Sequence, residues 1–183
     1  MTTTTPPKPT ALILGSGPRL GSSIASKFSS LGYNIAVVSR RGTNALTPSG
    51  ELSLSADFSD PSSIAGVFDA VESHFGTAPS VVVYNASTLS FPPDKDSVLS
   101  IPWENVKRDF DANTVSAYAA AQEAVKRWES MEGGGEKTFI YTGNALHEIG
   151  APVAFWMTLA MGKGASAAWV RLADLMYREK GYR

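Results

Sequence analysis

The stretch Leu12-Ile13-Leu14-Gly15-Ser16-Gly17-Pro18-Arg19-Leu20-Gly21 decides how this chain is read. An apolar run stops at a glycine, two more glycines follow within six residues, and Ser22-Ser23-Ile24-Ala25-Ser26-Lys27-Phe28 then takes up helical spacing. Bare backbone between a strand and a helix serves two ends. It turns sharply without steric cost, and it lets a phosphate approach the unpaired amides at the helix N-terminus. Arg19 places a cation in the same bend.

Working outward, strand and helix patterns alternate. A strand over 11–14 and a helix over 22–31 are followed by the strand Asn-Ile-Ala-Val-Val-Ser over 34–39. A short strand within 51–58 ends at Asp57, and Asp60 caps a helix that takes Pro61 into its first turn and runs to Phe75. The run 80–85 is apolar and rich in valine, as a buried parallel strand should be. The segment 87–102 is rich in serine and proline and reads as a loop or lid. Val106, Phe110, Val115 and Tyr118 mark a helical region over 103–130, which Gly133-Gly134-Gly135 ends. A fifth strand over 137–142 and a last helix over 155–179 complete the pattern. Alternation of this kind predicts an α/β fold, a doubly wound parallel sheet with helices on both faces, because parallel strands need crossovers. Its ligand site falls at the carboxyl ends of the strands, where the glycine stretch lies.

Composition narrows the class. The chain has 183 residues, which fits one domain over 10–183 behind a disordered lead-in over 1–9. A net charge of −1 and the lack of a basic run argue against nucleic acid as a partner. No apolar stretch nears the roughly 20 residues of a spanning helix, so no membrane partner is expected, and a cytoplasmic location is. With no cysteine and only His74 and His147, a metal site is not expected.

The glycine spacing resembles that of the short-chain dehydrogenase/reductase family, whose loop reads G-x-x-x-G-x-G. Gly15 and Gly21 take the outer places, and Arg19 replaces the middle glycine. The resemblance runs along the chain. Asp57-Phe58 stands where the family has an aspartate facing the adenine, and Asn85-Ala86-Ser87 resembles its N-A-G motif with serine for the glycine. Asn113 matches the helix asparagine of the catalytic tetrad, and Lys163 its lysine.

The resemblance implies a Rossmann-like fold and a nicotinamide cofactor. Gly15, Ser16, Gly17, Arg19, Leu20 and Gly21 would cradle its diphosphate, Asp57 would face the adenine, and Asn85, Ala86 and Lys163 would lie along the ribose side. No Asp or Glu occurs between Gly21 and Glu51 to hold both ribose hydroxyls; the second strand ends in Ser39-Arg40-Arg41 instead. Guanidinium groups there suit a 2′-phosphate, which makes NADP(H) the expected cofactor over NAD(H). Arg19 is expected to approach the same phosphate.

The catalytic centre departs from the family. Leu159 stands four residues before Lys163, where the family has its tyrosine, and Trp156 stands seven before it, where the enoyl-reductase branch has one. Gly143 occupies the place of the serine, with Thr142 and Asn144 beside it. Asn113 and Lys163 are the tetrad members retained, with Asn113 expected to orient Lys163 through water. His147 is the remaining candidate acid, by its ordinary pKa; Tyr84 and Tyr141 read as strand residues packed in the sheet. The activity implied is hydride transfer to or from a carbonyl, an alcohol or an alkene of a small-molecule substrate. The alternative is a non-catalytic NADP(H)-binding sensor or scaffold. The chain stops where the family continues into its last strands, so the sequence reads as a shortened product whose fifth strand leaves an open edge. Such an edge invites association, here a homo-oligomer.

Overall fold

The computed structural model describes residues 8–131, 135–147 and 154–183. Strands β1 (Thr10–Leu14), β2 (Asn34–Ser39), β4 (Leu52–Ser55), β5 (Val81–Tyr84) and β6 (Thr138–Tyr141) pair in parallel, and a two-residue strand β3 (Ala45–Leu46) runs antiparallel to β4. The order across the sheet is β3-β4-β2-β1-β5-β6. From β1 the chain builds outward through β2 to β4, then crosses to the other side of β1 for β5 and β6. That reversal opens a crevice at the carboxyl ends of the central strands.

All five residues of β1 are fully buried, and their alternation feeds two cores. Leu12 and Leu14 join Ala36, Val38, Val82 and Tyr84 on one face. Helices α2 (Ser63–Phe75) and α4 (Ser116–Ser130) cover that face with Ile64, Phe68, Val71, Ala117, Ala120 and Ala124. Ala11 and Ile13 point the other way, onto Ala25 and Phe28 of helix α1 (Leu20–Ser30). The remaining helices are α3 (Trp103–Phe110) and α5 (Met157–Tyr177).

Several boundaries differ from the sequence reading, each for a local reason. Helix α1 begins two residues earlier than expected, directly behind the glycine turn. Helix α2 begins at Ser63 rather than at Pro61. Asp60 instead closes a turn ahead of it, accepting from the Ser62 N–H and hydroxyl. The long helix over 103–130 is interrupted by one wide π turn, Asp111–Val115, between α3 and α4. The outer edge of β6 is paired at its start. The Phe139 N–H donates to the Arg183 carbonyl (2.7 Å), and the Arg183 N–H donates to the Lys137 carbonyl (2.9 Å).

Candidate functional site

The glycine turn is locked to its neighbours from both sides. The Gly15 and Ser16 N–H groups donate to the Val38 carbonyl at the end of β2 (3.0 and 2.8 Å). From β5, the Asn85 and Ala86 N–H groups donate to the Leu14 carbonyl (2.7 and 3.0 Å), and Asn85 Nδ2 donates to the Gly15 carbonyl (2.8 Å). This closeness dictates the residue type. Gly15 has φ +98°, and a Cβ there would stand 2.3 Å from the Ala86 nitrogen. A Cβ on Gly17 would meet nothing within 4 Å, because Gly17 faces open space.

That space is a cleft of about 690 Å³ over the carboxyl ends of β1, β2, β4 and β5. Gly15, Ser16, Gly17, Arg40, Asp57, Asn85 and Ala86, all singled out by the sequence, line it together. Arg19, Leu20, Gly21 and Arg41 are not among its lining residues. Gly21 lies behind the turn, where a Cβ would stand 2.8 Å from Ser16 Cα; Arg19, Leu20 and Arg41 are exposed. A smaller cleft of about 310 Å³ lies between α4 and α5, walled by Trp128, Trp169 and Tyr182, and shares no residue with the first.

Asp57 is shaped by its own turn. Its Oδ1 accepts from the Ser59 N–H (2.9 Å) and hydroxyl (2.8 Å). These bonds hold the carboxyl below its ordinary value, with Arg40 and Arg108 helping against a slight effect of burial.

Lys163 and Asn113 sit beside the cleft rather than in its lining. The Lys163 side chain is buried, with the residue 4% exposed. Nζ donates to the Thr142 carbonyl (2.7 Å) and lies 4.4 Å from the centre of the Tyr141 ring. Burial lowers the amine to about 8. Thr142 Oγ1 donates in turn to Asn85 Oδ1 (3.1 Å), which links Lys163 to the cleft wall. Asn113 is wholly buried and clamps the loop after β5: Oδ1 accepts from the Thr88 N–H and Nδ2 donates to the Thr88 carbonyl, both 2.9 Å.

The other acid–base candidates are accounted for as follows. The Tyr84 hydroxyl donates to the Ala112 carbonyl (2.5 Å) and the Tyr141 hydroxyl to the Asn113 carbonyl (2.7 Å). Burial raises both phenols, Tyr141 to about 12, so both hold their protons. Asn144 Oδ1 accepts from the Leu146 N–H. Trp156 is 44% exposed at the start of α5. The His147 side chain lies outside the described residues. Among the described residues there is no cluster of metal-ligating side chains and no helix long and apolar enough to cross a membrane.

Arg108 and Asp109 were missed by the sequence reading. Arg108 lines the cleft, and its Nη2 donates to Ser90 Oγ (2.9 Å) and Asp109 Oδ1 (3.3 Å). Asp109 is fully buried and also accepts from the Thr88 hydroxyl (2.6 Å). Burial alone would raise this carboxyl; the hydroxyls of Thr88, Ser90 and Thr158, with Arg108, outweigh it and leave it below its ordinary value. In sequence, Lys107-Arg108-Asp109 is a run of three charges with no spacing that marks a site. Only the packing of α3 on the loop after β5 shows otherwise.

A doubly wound sheet whose first strand runs through a glycine turn into a helix, with a cleft over the switch point, defines the dinucleotide-binding class of α/β proteins. The family profile described as enoyl-(acyl carrier protein) reductase matches residues 19–183. The short chain dehydrogenase/reductase dmxR12 of Cryptosporiopsis sp. is 35% identical over 188 residues, covering 96% of this chain and 74% of that protein. The fold matches that of a 3-oxoacyl-[acyl-carrier protein] reductase from Brucella melitensis, with a TM-score of 0.83 at 19% identity over 97% of this chain and 73% of that one. The structure of a Brucella melitensis 3-oxoacyl-[acyl-carrier protein] reductase in complex with NAD matches with a TM-score of 0.82 at 19% identity, over 96% and 70%. The chain belongs to the short-chain dehydrogenase/reductase superfamily of NAD(P)-binding oxidoreductases.

Proposed function

We propose that this chain is an NADP(H)-dependent oxidoreductase acting on a carbonyl, alcohol or activated alkene of a small organic substrate. The observation that carries the reading is the pairing of Gly17, open to the cleft, with Arg40 at the end of β2. A side chain at position 17 would stand where a diphosphate must lie, and Arg40 occupies the place where an acidic residue would hold an unphosphorylated ribose. The donor set therefore fits the phosphorylated dinucleotide. Arg19, Leu20 and Gly21, which follow Gly17 just outside the cleft lining, would complete the cradle by bringing the first-turn amides and the positive end of α1 up to the diphosphate. Arg40 takes the 2′-phosphate through charge-assisted bonds, with Arg41 next to it in the chain and Arg19 across the turn.

The bound cofactor supplies the hydride. Lys163 holds the nicotinamide ribose, Asn85 and Ala86 form its wall, and Asn113 keeps that wall in place through Thr88. A homo-oligomeric state belongs to the same proposal.

Fluorescence titration with NADPH and NADH, followed by a panel of activated carbonyls and enones at 340 nm, tests this. Arg40→Gln is expected to weaken NADPH by roughly 10- to 100-fold and leave NADH unchanged, as loss of a charge-assisted bidentate contact does. Equal affinity of the wild type for both cofactors removes the phosphate selection. Two observations favour a second reading, a binding protein without turnover: Leu159 stands where the family has its phenol, and Lys163 is turned onto the Thr142 carbonyl. Tight NADPH binding with no turnover across the panel selects it.

A further inference from the structure

Arg108 has no part in the reading above, yet it is among the most carefully held cations of the chain. A guanidinium at a cleft mouth normally swings freely, and half of this side chain is exposed. Its Nη2 is nevertheless fixed by Ser90 Oγ and Asp109 Oδ1. Asp109 is a fully buried carboxylate, expensive to keep inside a protein unless it serves a partner. The same carboxylate takes the Thr88 hydroxyl, and the Thr88 backbone is clamped at both ends by Asn113. The anchor under Arg108 is therefore rigid. Arg108 shares a third partner with Arg40: the charges of both reach Asp57. Arg40 stands on the β2 side of the cleft and Arg108 on the α3 side, with Phe58 and Ala112 in the wall between.

We propose that Arg108 is a nucleotide-clamping residue whose guanidinium plane lies against the adenine ring of the dinucleotide. The inference rests on the nucleotide reading above and adds to it the residue that grips the base. The choice of base over phosphate follows from the donors. A forked grip on phosphate needs a free edge of the guanidinium. Here Nη2 is already engaged by two oxygens, while the face is the part an aromatic ring uses. The neighbours agree, since Leu89, half-buried in the cleft lining, offers carbon to a flat ring. Asp109 and Ser90 are positioning residues that hold the plane at its angle.

The test is fluorescence titration of the full chain and of Arg108→Gln with three probes: NADPH, NADH and reduced nicotinamide mononucleotide, which lacks the adenosine. Arg108→Gln is expected to weaken NADPH and NADH by the same factor, on the order of 10-fold, the scale of a desolvated stacking contact, and to leave the mononucleotide unchanged. Arg108→Lys keeps the charge without the plane and is expected to weaken both dinucleotides several-fold. It is read in place of the glutamine variant if that one fails to melt cooperatively. Unchanged NADPH and NADH affinities overturn the proposal, as does a loss confined to NADPH, which would make Arg108 a phosphate ligand. Those outcomes leave the nucleotide site standing. A wild-type chain that binds none of the probes removes the site and this inference together.

Discussion

Lys163 is where residue chemistry is under most tension. Its amine is buried against a carbonyl and an aromatic ring, and the hydrogen bond found for it goes to Thr142 rather than to a carboxylate. The folded chain therefore holds that proton less tightly than the unfolded chain, at about 8 against an ordinary 10.5. Below pH 8 both states carry the proton, and the folded state bears the full penalty of a buried ammonium. Between 8 and 10.5 the folded state has released the proton while the unfolded state still binds it, so stability rises with pH in that window. Lys163→Met keeps the stem and removes the charge. It is expected to stabilise the cofactor-free protein by on the order of 2 kcal/mol at pH 6.5, after allowance for the lost contacts, with the gain fading towards pH 10.5. Urea unfolding at several pH values measures this, and a gain that is flat with pH contradicts the buried-ammonium account. On the ribose role proposed for Lys163, the same variant is expected to bind NADPH more weakly. Stability given up at one position for ligand binding is a residue-scale sign of a functional site.

At the scale of elements, the π turn Asp111–Val115 organises the site. Its wide hydrogen-bond register leaves the Ala112 and Asn113 carbonyls facing the sheet, where Tyr84 and Tyr141 donate to them. The two rings stack with centroids 6.0 Å apart. Tyr84→Phe leaves the buried Ala112 carbonyl without that donor and is expected to lower stability by about 1–2 kcal/mol. Tyr141→Phe should cost less, since the Ser166 hydroxyl also donates to the Asn113 carbonyl. Helix α5 reaches the turn only because residue 162 is glycine: a Cβ there would stand 2.4 Å from the Asn113 Cβ. Gly162→Ala is expected to cost about 2–3 kcal/mol as an overpacked contact, and to weaken nucleotide binding by moving Asn113 off Thr88. Full stability and affinity in that variant, measured by urea unfolding and titration, would show that the two elements separate freely. None of this could be read from Asp111-Ala112-Asn113-Thr114-Val115, which keeps ordinary helical letters. The wide turn is imposed by what packs on it.

For the whole molecule, what the sequence revealed were the features that lie along the chain. Alternating apolar runs set the parallel sheet, the Gly15 turn set the crevice, and Arg40, Asp57 and Asn85 followed as residues just beyond the ends of their strands. Features that join distant segments stayed hidden: the Arg108–Asp109–Thr88 cluster and the pairing of Arg183 with β6. Arg127 belongs to this second group. It lies on α4, is 11% exposed in its side chain, and stands 5.1 Å from the Phe68 ring on α2. Its guanidinium meets Asp69 and Glu72 of α2 and Glu123 of its own helix, tying together the two helices that cover one face of the sheet. Exposed pairs of this kind contribute little one by one, but three carboxylates share this one cation. Arg127→Met keeps much of the stem packing over Phe68 and leaves Asp69, Glu72 and Glu123 facing one another. The expected loss is about 1–2 kcal/mol at low ionic strength. Added sodium chloride should then raise the variant's unfolding midpoint more than the wild type's, since it screens a repulsion in one and an attraction in the other. If the two midpoints shift together with salt, the loss comes from packing, and α2 and α4 are held by Phe68, Ala117 and Ala120 rather than by charge.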